Sequence, residues 1–265
     1  MFTDATVVDL SIGIEDGAAS EPDPPTIDRM DHREGAEWLA ENLRVSGSDV
    51  TADDFPDGTA LAWEEVHAIT HTATHMDAPY HYGAESDGEP ARRIDDVPLD
   101  WCLGEAVLLD LRHLNAGDEI GVDDLTDALG EIGHELTGEE IVLLQTGADE
   151  LWGDPEYLTE FPGMGAEATR WLTEQGVRVI GTDAYGLDKP FAEMGRRFAE
   201  TGDSAELWPA HLAGREREYC QIEKMANFDE LPRRTDIPLV AVPIVVEDAS
   251  AGWVRPVAVF EEVAR

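Results

Sequence analysis

The stretch "GAEATRWLTEQGVRVIGTD", residues 165–183, contains a helical pattern followed directly by a strand pattern. The helical part ends at Gly176, a residue type common just beyond the last turn of a helix because it adopts positive φ without steric cost. Val177 then begins a short run of β-branched and aliphatic residues, as expected of a strand. A helix that leads straight into a strand is typical of α/β proteins, so this stretch predicts that fold class.

Five further runs of β-branched or aliphatic residues predict strands: "TVVDLSI" (6–12), "EAVLLDL" (105–111), "EIVLLQT" (140–146), "PLVAVPIVV" (238–246) and "VRPVAVF" (254–260). A second helical pattern, "DDLTDALGEIG" (123–133), follows the second of these runs. The segments "EPDPPTIDR" (21–29) and "SDVTADDFPDG" (48–58) predict surface loops too short to be interdomain linkers. The sequence therefore predicts one α/β domain over residues 1–265, without an internal repeat or a nucleotide-binding motif.

Acidic residues dominate the charge of the chain. Asp and Glu number 58 and Lys and Arg 18, which gives a formal net charge of −40 at pH 7. Nucleic acid and anionic membranes are bound through clustered basic residues, so neither is an expected partner. No apolar run reaches the roughly 18 residues that a membrane span requires, and residues 1–13 lack the regions of a signal peptide. We therefore expect a cytoplasmic protein.

These acidic residues are spread along the whole chain instead of forming a tail. A surface dense in carboxylates repels itself, and salt screens that repulsion, with a Debye length of about 3 Å at 1 M. The distribution resembles that of a halophilic proteome. An ordinary acidic mesophilic enzyme is the alternative interpretation.

The segment "HTATHMDAPYH" (71–81) contains three of the eight histidines of the chain, together with an aspartate. On a helix, His71 and His75 would share a face but Asp77 would point elsewhere. In an extended chain the odd positions, including His81, tend to one side, and the proline and threonines between them favour that form. Such ionisable groups are costly to bury unless something binds them, and imidazole and carboxylate are standard ligands of Zn²⁺ and Mn²⁺.

Other interpretations of the histidines and cysteines stay open. The histidine cluster could be a solvated loop or a hydrogen-bonded part of the core, and we place His67 in that class. Three isolated histidines are expected to be surface or structural residues: His32, His113 and His134. Cys102 and Cys220 lie far apart without a CxxC, so neither a disulfide framework nor a thiolate metal site is expected.

The histidine segment resembles the HxGTHxDxPxH signature of the cyclase-family metal-dependent hydrolases, which include bacterial kynurenine formamidase and isatin hydrolase. Downstream, "GTDAYGLD" (181–188) is similar to the family's GxDxxSxD segment. The stretch "HLAGREREYCQIEKMANFDEL" (211–231) is similar to its later histidine followed by an IEN-like glutamate. The resemblance implies the swivelling β/β/α cyclase-like fold with a mixed sheet, often assembled as a homo-oligomer, either a dimer or a tetramer.

The same resemblance implies which residues act. It places one or two Zn²⁺ or Mn²⁺ ions on five side chains: His71, His75, Asp77, His211 and Glu223. It leaves His81 unligated as the catalytic acid and base, and in two-metal members it makes Asp77 and Glu223 bridge the ions. The chain departs from the pattern where Ala73 replaces the usual Gly and Gly186 replaces the usual Ser. Gly186 removes a hydroxyl that could orient water or substrate.

Aromatic side chains are candidates to line a substrate pocket, with a place in the core as the alternative for each. They are Tyr80, Trp101 and Tyr185, together with Trp63 and Trp208. Asp183 and Asp188 flank the turn "AYG", where aspartate is common for turn reasons alone. Either aspartate could also support the site from outside the ligand shell.

The predicted function is hydrolysis of a C–N amide bond in a small aryl formamide or cyclic amide, with a lactone as an alternative substrate. The metal would activate water and polarise the carbonyl, and His81 would carry a proton to the leaving nitrogen. A serine hydrolase is disfavoured because the chain has no GxSxG. A metal-binding or ligand-sensing protein without turnover is the alternative class, whereas a purely structural acidic scaffold would need no histidine cluster.

The spread of acidic charge predicts a response to salt. Raising KCl from low to molar concentration should raise the melting temperature, because screening weakens repulsion among surface carboxylates. Thermal unfolding followed by circular dichroism across that range measures the effect. A melting temperature that stays flat or falls would favour the ordinary acidic enzyme.

Overall fold

The computed structural model describes residues 5–261, which form two compact units. The large unit comprises residues 5–14, 19–22 and 70–261, and the small unit comprises residues 15–18 and 23–69. The single domain expected from the sequence stays a prediction.

The strands and helices are numbered in chain order. The strands are β1 (Ala5–Asp9), β2 (Thr26–Met30), β3 (Trp63–His67), β4 (His75–Asp77), β5 (Glu85–Ser86), β6 (Glu89–Pro90), β7 (Leu103–Asp110), β8 (Glu119–Ile120), β9 (Ile141–Gln145), β10 (Gly163–Met164), β11 (Val179–Thr182), β12 (Cys220–Glu223), β13 (Ile237–Val240), β14 (Ala251–Trp253) and β15 (Val257–Glu261). The α-helices are α1 (His32–Arg44), α2 (Pro79–Tyr82), α3 (Val122–Ile132), α4 (Ala166–Glu174), α5 (Phe191–Thr201) and α6 (Pro209–Ala213). Among residues 5–261, none of the helices has the length and apolar character needed to cross a membrane.

A nine-stranded mixed sheet organises the large unit, in the order β1-β15-β13-β7-β9-β11-β12-β4-β14. Its four central strands, β7, β9, β11 and β12, pair in parallel, and the flanking strands pair antiparallel. All residues of β9, β11 and β12 are buried, as expected of parallel strands covered on both faces. The α/β class and the mixed sheet predicted from the sequence are therefore confirmed.

The small unit contains the antiparallel pair β2 and β3 together with α1. Helix α1 begins at a capping box in which Asp31 accepts the Arg33 and Glu34 N–H groups and Glu34 accepts the Asp31 N–H. The prediction that residues 21–29 are entirely loop is wrong, because β2 starts at Thr26.

Two other sequence predictions differ from the structure. The predicted strand 238–246 ends at Val240. Residues 71–81 are not extended throughout, because Ala73 has φ +53° and only β4 is a strand. Pro79 begins the helical turn α2, since proline at a first helical position has the right φ and gives up an N–H that would lack a partner anyway.

Strand pairing brings distant residues together at the carboxyl ends of the central strands. In the β12–β4 pair, Glu223 lies opposite His75 and Gln221 lies opposite Asp77. Directly opposite residues share a face of the sheet, and residues two apart on β4 share it as well. The register therefore places His75, Asp77 and Glu223 on one face.

Two clusters of buried hydrophobic side chains include residues of the central strands. Shortening a side chain in either cluster should lower the free energy of unfolding most. Leu143 on β9 is fully buried in one of them, so Leu143→Ala should lower the free energy of unfolding by about 2–5 kcal/mol. Val7 on β1 is 59% exposed, and Val7→Ala is the matched control, with an expected change within about 0.5 kcal/mol. Guanidinium unfolding at constant KCl measures both, and equal losses would contradict this account of the core.

Candidate metal centre

Two strands of the sheet supply the innermost part of the site. On β4, His75 Nε2 lies 3.3 Å from Asp77 Oδ1, and it lies 3.6 Å from Glu223 Oε2 at the end of β12. All three residues are buried. Their ligand-type atoms lie within 4.8 Å of one another, close enough to hold one metal ion.

Three further histidines surround Asp77. His71 Nδ1 lies 2.8 Å from Asp77 Oδ1, and His81 Nε2 on α2 lies 4.0 Å from Asp77 Oδ2. These two histidines and Asp77 form a second group that could hold an ion. His211 on α6 points Nε2 at Asp77 Oδ2 and at Glu223 Oε1, each 3.8 Å away. The structure thus brings together all six side chains that the sequence singled out for metal binding and proton transfer.

The remaining ring nitrogens of three histidines have partners of their own. His75 Nδ1 lies 2.8 Å from the Ala73 carbonyl, and His71 Nε2 lies 3.1 Å from Ser250 Oγ. His211 Nδ1 is hydrogen-bonded to the Asp188 carboxylate, which also accepts the Ala210 N–H. Each ring is held by one nitrogen while the other faces Asp77. Histidines that bind metals in proteins are oriented in this way.

The atoms at the centre of the cluster lack hydrogen-bond partners. His75 Nε2 and both Asp77 oxygens are buried, and none of them makes an aligned hydrogen bond within residues 5–261. A buried polar atom left without a partner costs about 1–3 kcal/mol, and more if it is charged. Nitrogen and carboxylate donors are the ligands that Zn²⁺ and Mn²⁺ accept. The residues present therefore fit a divalent metal ion.

Burial and neighbouring charges shift the pKa values of Asp77, Glu223 and His81 in different directions. Burial disfavours the Asp77 carboxylate, but His75, His211 and His71 around it hold its pKa well below the usual range. Burial and the nearby Asp77 raise the pKa of Glu223. Burial lowers the pKa of His81 to about 4, so its ring is neutral at pH 7.

Trp208 and Tyr185 are two of the aromatic candidates. Trp208 stacks on His211 with a centroid distance of 4.2 Å, and it meets His81 edge-on at 5.2 Å. Tyr185 precedes Gly186, and the centroid of its ring lies 4.8 Å from Lys224 Nζ. A Cβ at Gly186 would lie 3.6 Å from Glu223 Oε1, an ordinary van der Waals contact, so the carboxylate lies directly beside this glycine.

The other aromatic candidates have different surroundings. Tyr80, adjacent to His81, lies under the Arg93 guanidinium at 4.3 Å. Trp101 lines a cavity of about 580 Å³ together with Ile141 and Val179, the first residues of β9 and β11. That cavity is at the end of the parallel strands opposite the cluster, so Trp101 is not brought to the site. Trp63 belongs to the small unit, where its ring lies 5.2 Å from that of Trp38.

The two aspartates of the segment 181–188 do different work. Asp188 holds His211, as described above. Asp183 is buried and accepts hydrogen bonds from the Thr146 and Gly147 N–H groups and from the Thr146 hydroxyl. It therefore holds the loop that follows β9, and burial raises its pKa to about 7.

Sequence reasoning missed the residues that hold the 71–75 segment, chiefly Glu21, Lys224 and Ser250. Only one signal for them was present in the sequence. The chain has just two lysines, Lys189 and Lys224, and each directly follows an acidic residue of the site.

The chain is similar in sequence to the proteins of one known family. The Cyclase family model matches residues 8–189. Kynurenine formamidase of Bacillus cereus (strain ATCC 14579) is 31% identical over 188 residues, 71% of this chain and 75% of that protein. Kynurenine formamidase of Erythrobacter litoralis (strain HTCC2594) is 28% identical over 188 residues, 71% of this chain and 72% of that protein.

Solved structures share the fold. An isatin hydrolase bound to the product analogue thioisatinate has a TM-score of 0.73 at 20% identity, covering 98% of this chain and 94% of that chain. Isatin hydrolase A from Ralstonia solanacearum has a TM-score of 0.72 at 22% identity, covering 97% and 92%. With a family model that spans more than half of its length and curated relatives along most of it, the chain belongs to the cyclase family and is an enzyme with hydrolase activity.

Proposed function

We propose that this enzyme is a metal-dependent amidohydrolase that cleaves the C–N bond of a small aryl formamide or cyclic amide. One observation carries the proposal. The carboxylate of Asp77 is buried without a hydrogen-bond partner among four histidines, three of which have their far nitrogen held. The names of the relatives, kynurenine formamidase and isatin hydrolase, support an amide as the substrate class.

Five side chains would hold the metal in this proposal: His71, His75, Asp77, His211 and Glu223. A bound divalent cation of this kind lowers the pKa of water and polarises a carbonyl group. Glu223 Oε1 accepts the Leu187 N–H at 2.9 Å, which keeps Oε2 directed towards His75. Asp77 Oδ1 lies near His71 and His75, and its Oδ2 lies near His81 and His211, so both oxygens would be available to hold metal.

His81 is the proposed proton carrier. Its ring is neutral at pH 7, and it lies at the open side of the cluster with about a quarter of its side chain exposed. Ring contacts with His71, at 4.1 Å, and with Trp208 hold it in place. From this position Nε2 can take a proton and return it to the leaving nitrogen, a general acid–base role.

Trp208 favours a flat aromatic substrate. The indole extends the ring surface formed by His81 and His211, where an aryl group could stack. The homo-oligomer, dimer or tetramer, and the cytoplasmic location stay predictions.

Metal content and activity test the proposal together. Purified protein should contain about one to two equivalents of Zn²⁺ or Mn²⁺ by elemental analysis, and it should hydrolyse N-formyl aryl amines or cyclic aryl amides at molar KCl. Chelation should abolish turnover, and the added metal should restore it. Absence of stoichiometric metal after reconstitution, or turnover of lactones but not amides, would contradict the proposal.

Two alanine variants separate proton transfer from metal binding. His81→Ala should keep its metal and lose about 10²- to 10⁴-fold in kcat, because a positioned acid–base group contributes that much. His75→Ala should lose metal affinity and activity together, since it removes a coordinating nitrogen. Metal titration alongside steady-state kinetics measures both effects.

The contrast between the two variants decides the roles. Equal loss of metal in both would make His81 a ligand. Full activity in His81→Ala would move the proton transfer to another residue.

A further inference from the structure

The two lysines of the chain are both buried, although lysine is among the residues least often found inside proteins. Lys224 directly follows Glu223, and its side chain is 3% exposed. Its Nζ donates to Glu21 Oε2 at 2.6 Å and to the His71 carbonyl at 2.9 Å. The Tyr185 ring lies 4.8 Å from the same nitrogen. With these partners the ammonium group is engaged on all sides.

Glu21 completes a clamp on the segment that carries the first two histidines. Its side chain is also 3% exposed, and its second oxygen, Oε1, accepts the Ala73 N–H at 2.7 Å. The ion pair therefore grips the main chain at residue 71 through the lysine and at residue 73 through the glutamate. We call Glu21 and Lys224 the clamp.

Ala73, whose N–H binds Glu21, has an unfavourable backbone conformation. Ala73 has φ +53°, in the left-handed region that a residue with a Cβ seldom adopts. The hydrogen bond from its N–H to Glu21 holds that conformation. The Ala73 carbonyl in turn accepts from His75 Nδ1 at 2.8 Å. A change in the Ala73 peptide would therefore release the His75 ring.

The ring of His75 matters because of its tautomer. With the proton on Nδ1 donated to Ala73, Nε2 presents a lone pair towards Asp77 and Glu223, as metal binding needs. The path of influence runs from Glu21 through Ala73 to His75.

The main chain of Lys224 supplies a second attachment. Thr74 donates its hydroxyl proton to the Lys224 carbonyl and accepts the Ile12 N–H at 2.7 Å. The Lys224 N–H donates to the Ala184 carbonyl at 3.0 Å. The segment is thus tied to the end of β12 by backbone as well as by charge.

Stability alone is a weak reason for this pair. Desolvation of two buried charges offsets most of their attraction, so a buried ion pair often adds little to stability compared with apolar side chains of similar size. What such a pair can supply is a particular conformation of the groups it touches.

We propose that the clamp of Glu21 and Lys224 is a positioning device that holds Ala73 in its left-handed conformation and so fixes the His75 ring for metal binding. The inference rests on the metal site of the proposed function. Both residues act through the main chain of 71–73, so they are positioning residues and not catalytic ones.

Glu21→Ala and Lys224→Met test the clamp by two readouts. The first is the Mn²⁺ dissociation constant from chelator competition, which should rise about 10- to 100-fold, as is usual when partners outside the ligand shell are removed. The second is long-range ¹H–¹⁵N NMR of the histidine rings in the metal-free protein. In both variants His75 should lose its preference for the Nδ1-protonated tautomer.

Glu140→Ala is the matched control. Glu140 is a buried carboxylate that accepts the Thr137 and Gly138 N–H groups at the opposite end of the parallel strands. It should affect the melting temperature without changing the Mn²⁺ dissociation constant or the His75 tautomer. If Glu21→Ala does not fold, Glu21→Met, which keeps a side chain of similar size and removes both oxygens, replaces it.

A rescue distinguishes positioning from general destabilisation. Glycine adopts positive φ without steric cost, so adding Ala73→Gly to Glu21→Ala should recover part of the lost Mn²⁺ affinity. Glu140→Ala should keep its Mn²⁺ affinity, so it needs no such rescue. Failure of Ala73→Gly to restore any affinity would overturn the role of the left-handed alanine.

The outcomes separate this inference from the proposed function. Wild-type protein that binds no metal would contradict the proposed function. The His75 tautomer in the two variants would still test the role of the clamp. Wild-type metal affinity and an unchanged tautomer in Glu21→Ala and Lys224→Met would overturn the clamp and leave the metal site standing.

Discussion

The buried carboxylate of Asp77 is the constraint on which the rest of the site depends. It has no exposed surface, and four histidine nitrogens lie between 2.8 and 4.0 Å from its oxygens. An isolated buried charge costs several kcal/mol, so this carboxylate is tolerable only with positive or proton-donating neighbours, or with a cation. His75, His211 and His71 keep its pKa low, and the outer ring nitrogen of each of these three has another partner.

The sheet provides the rigidity that this arrangement needs. Strand β4 has only three residues, yet it is paired on both sides, with β12 and with β14. His75 therefore lies between Glu223 on one neighbour and Trp253 on the other. Side chains on paired strands are positioned more precisely than side chains on loops. The segment before β4, which is not a strand, is the part held by Glu21 and Lys224.

The two lysines of this acidic chain lie inside the molecule. The chain carries a formal net charge of −40, yet both of its lysines are buried in ion pairs next to residues of the site. Lys189 pairs with Glu119 and directly follows Asp188, the partner of His211. Arginine supplies the basic side chains that are left at the surface. Lys224 thus binds the main chain of the histidine segment, whereas Lys189 binds the carboxylates of Glu119 and Glu206.

Local sequence determined the strands of the parallel core, helices α3 and α4, and the grouping of His71, His75, Asp77 and His81. The local sequence also contained a signal for α1, a helix that was not predicted. Asp31 and Glu34 form a capping box where this helix begins. These features depend on neighbours within a few residues, where side-chain periodicity and capping decide the outcome.

Tertiary structure alone decided the rest. Glu223 reaches His75 through strand pairing across 148 residues of sequence (223 − 75), and Glu21 reaches Lys224 across 203. The left-handed Ala73 overturns the expectation of one extended segment, because its N–H donates to the distant Glu21 and this bond outweighs the local preference of the chain. The turn at Pro79 is local in origin, since proline favours a first helical position. Such contacts are set by packing free energy summed over the whole unit, which no short window of sequence contains.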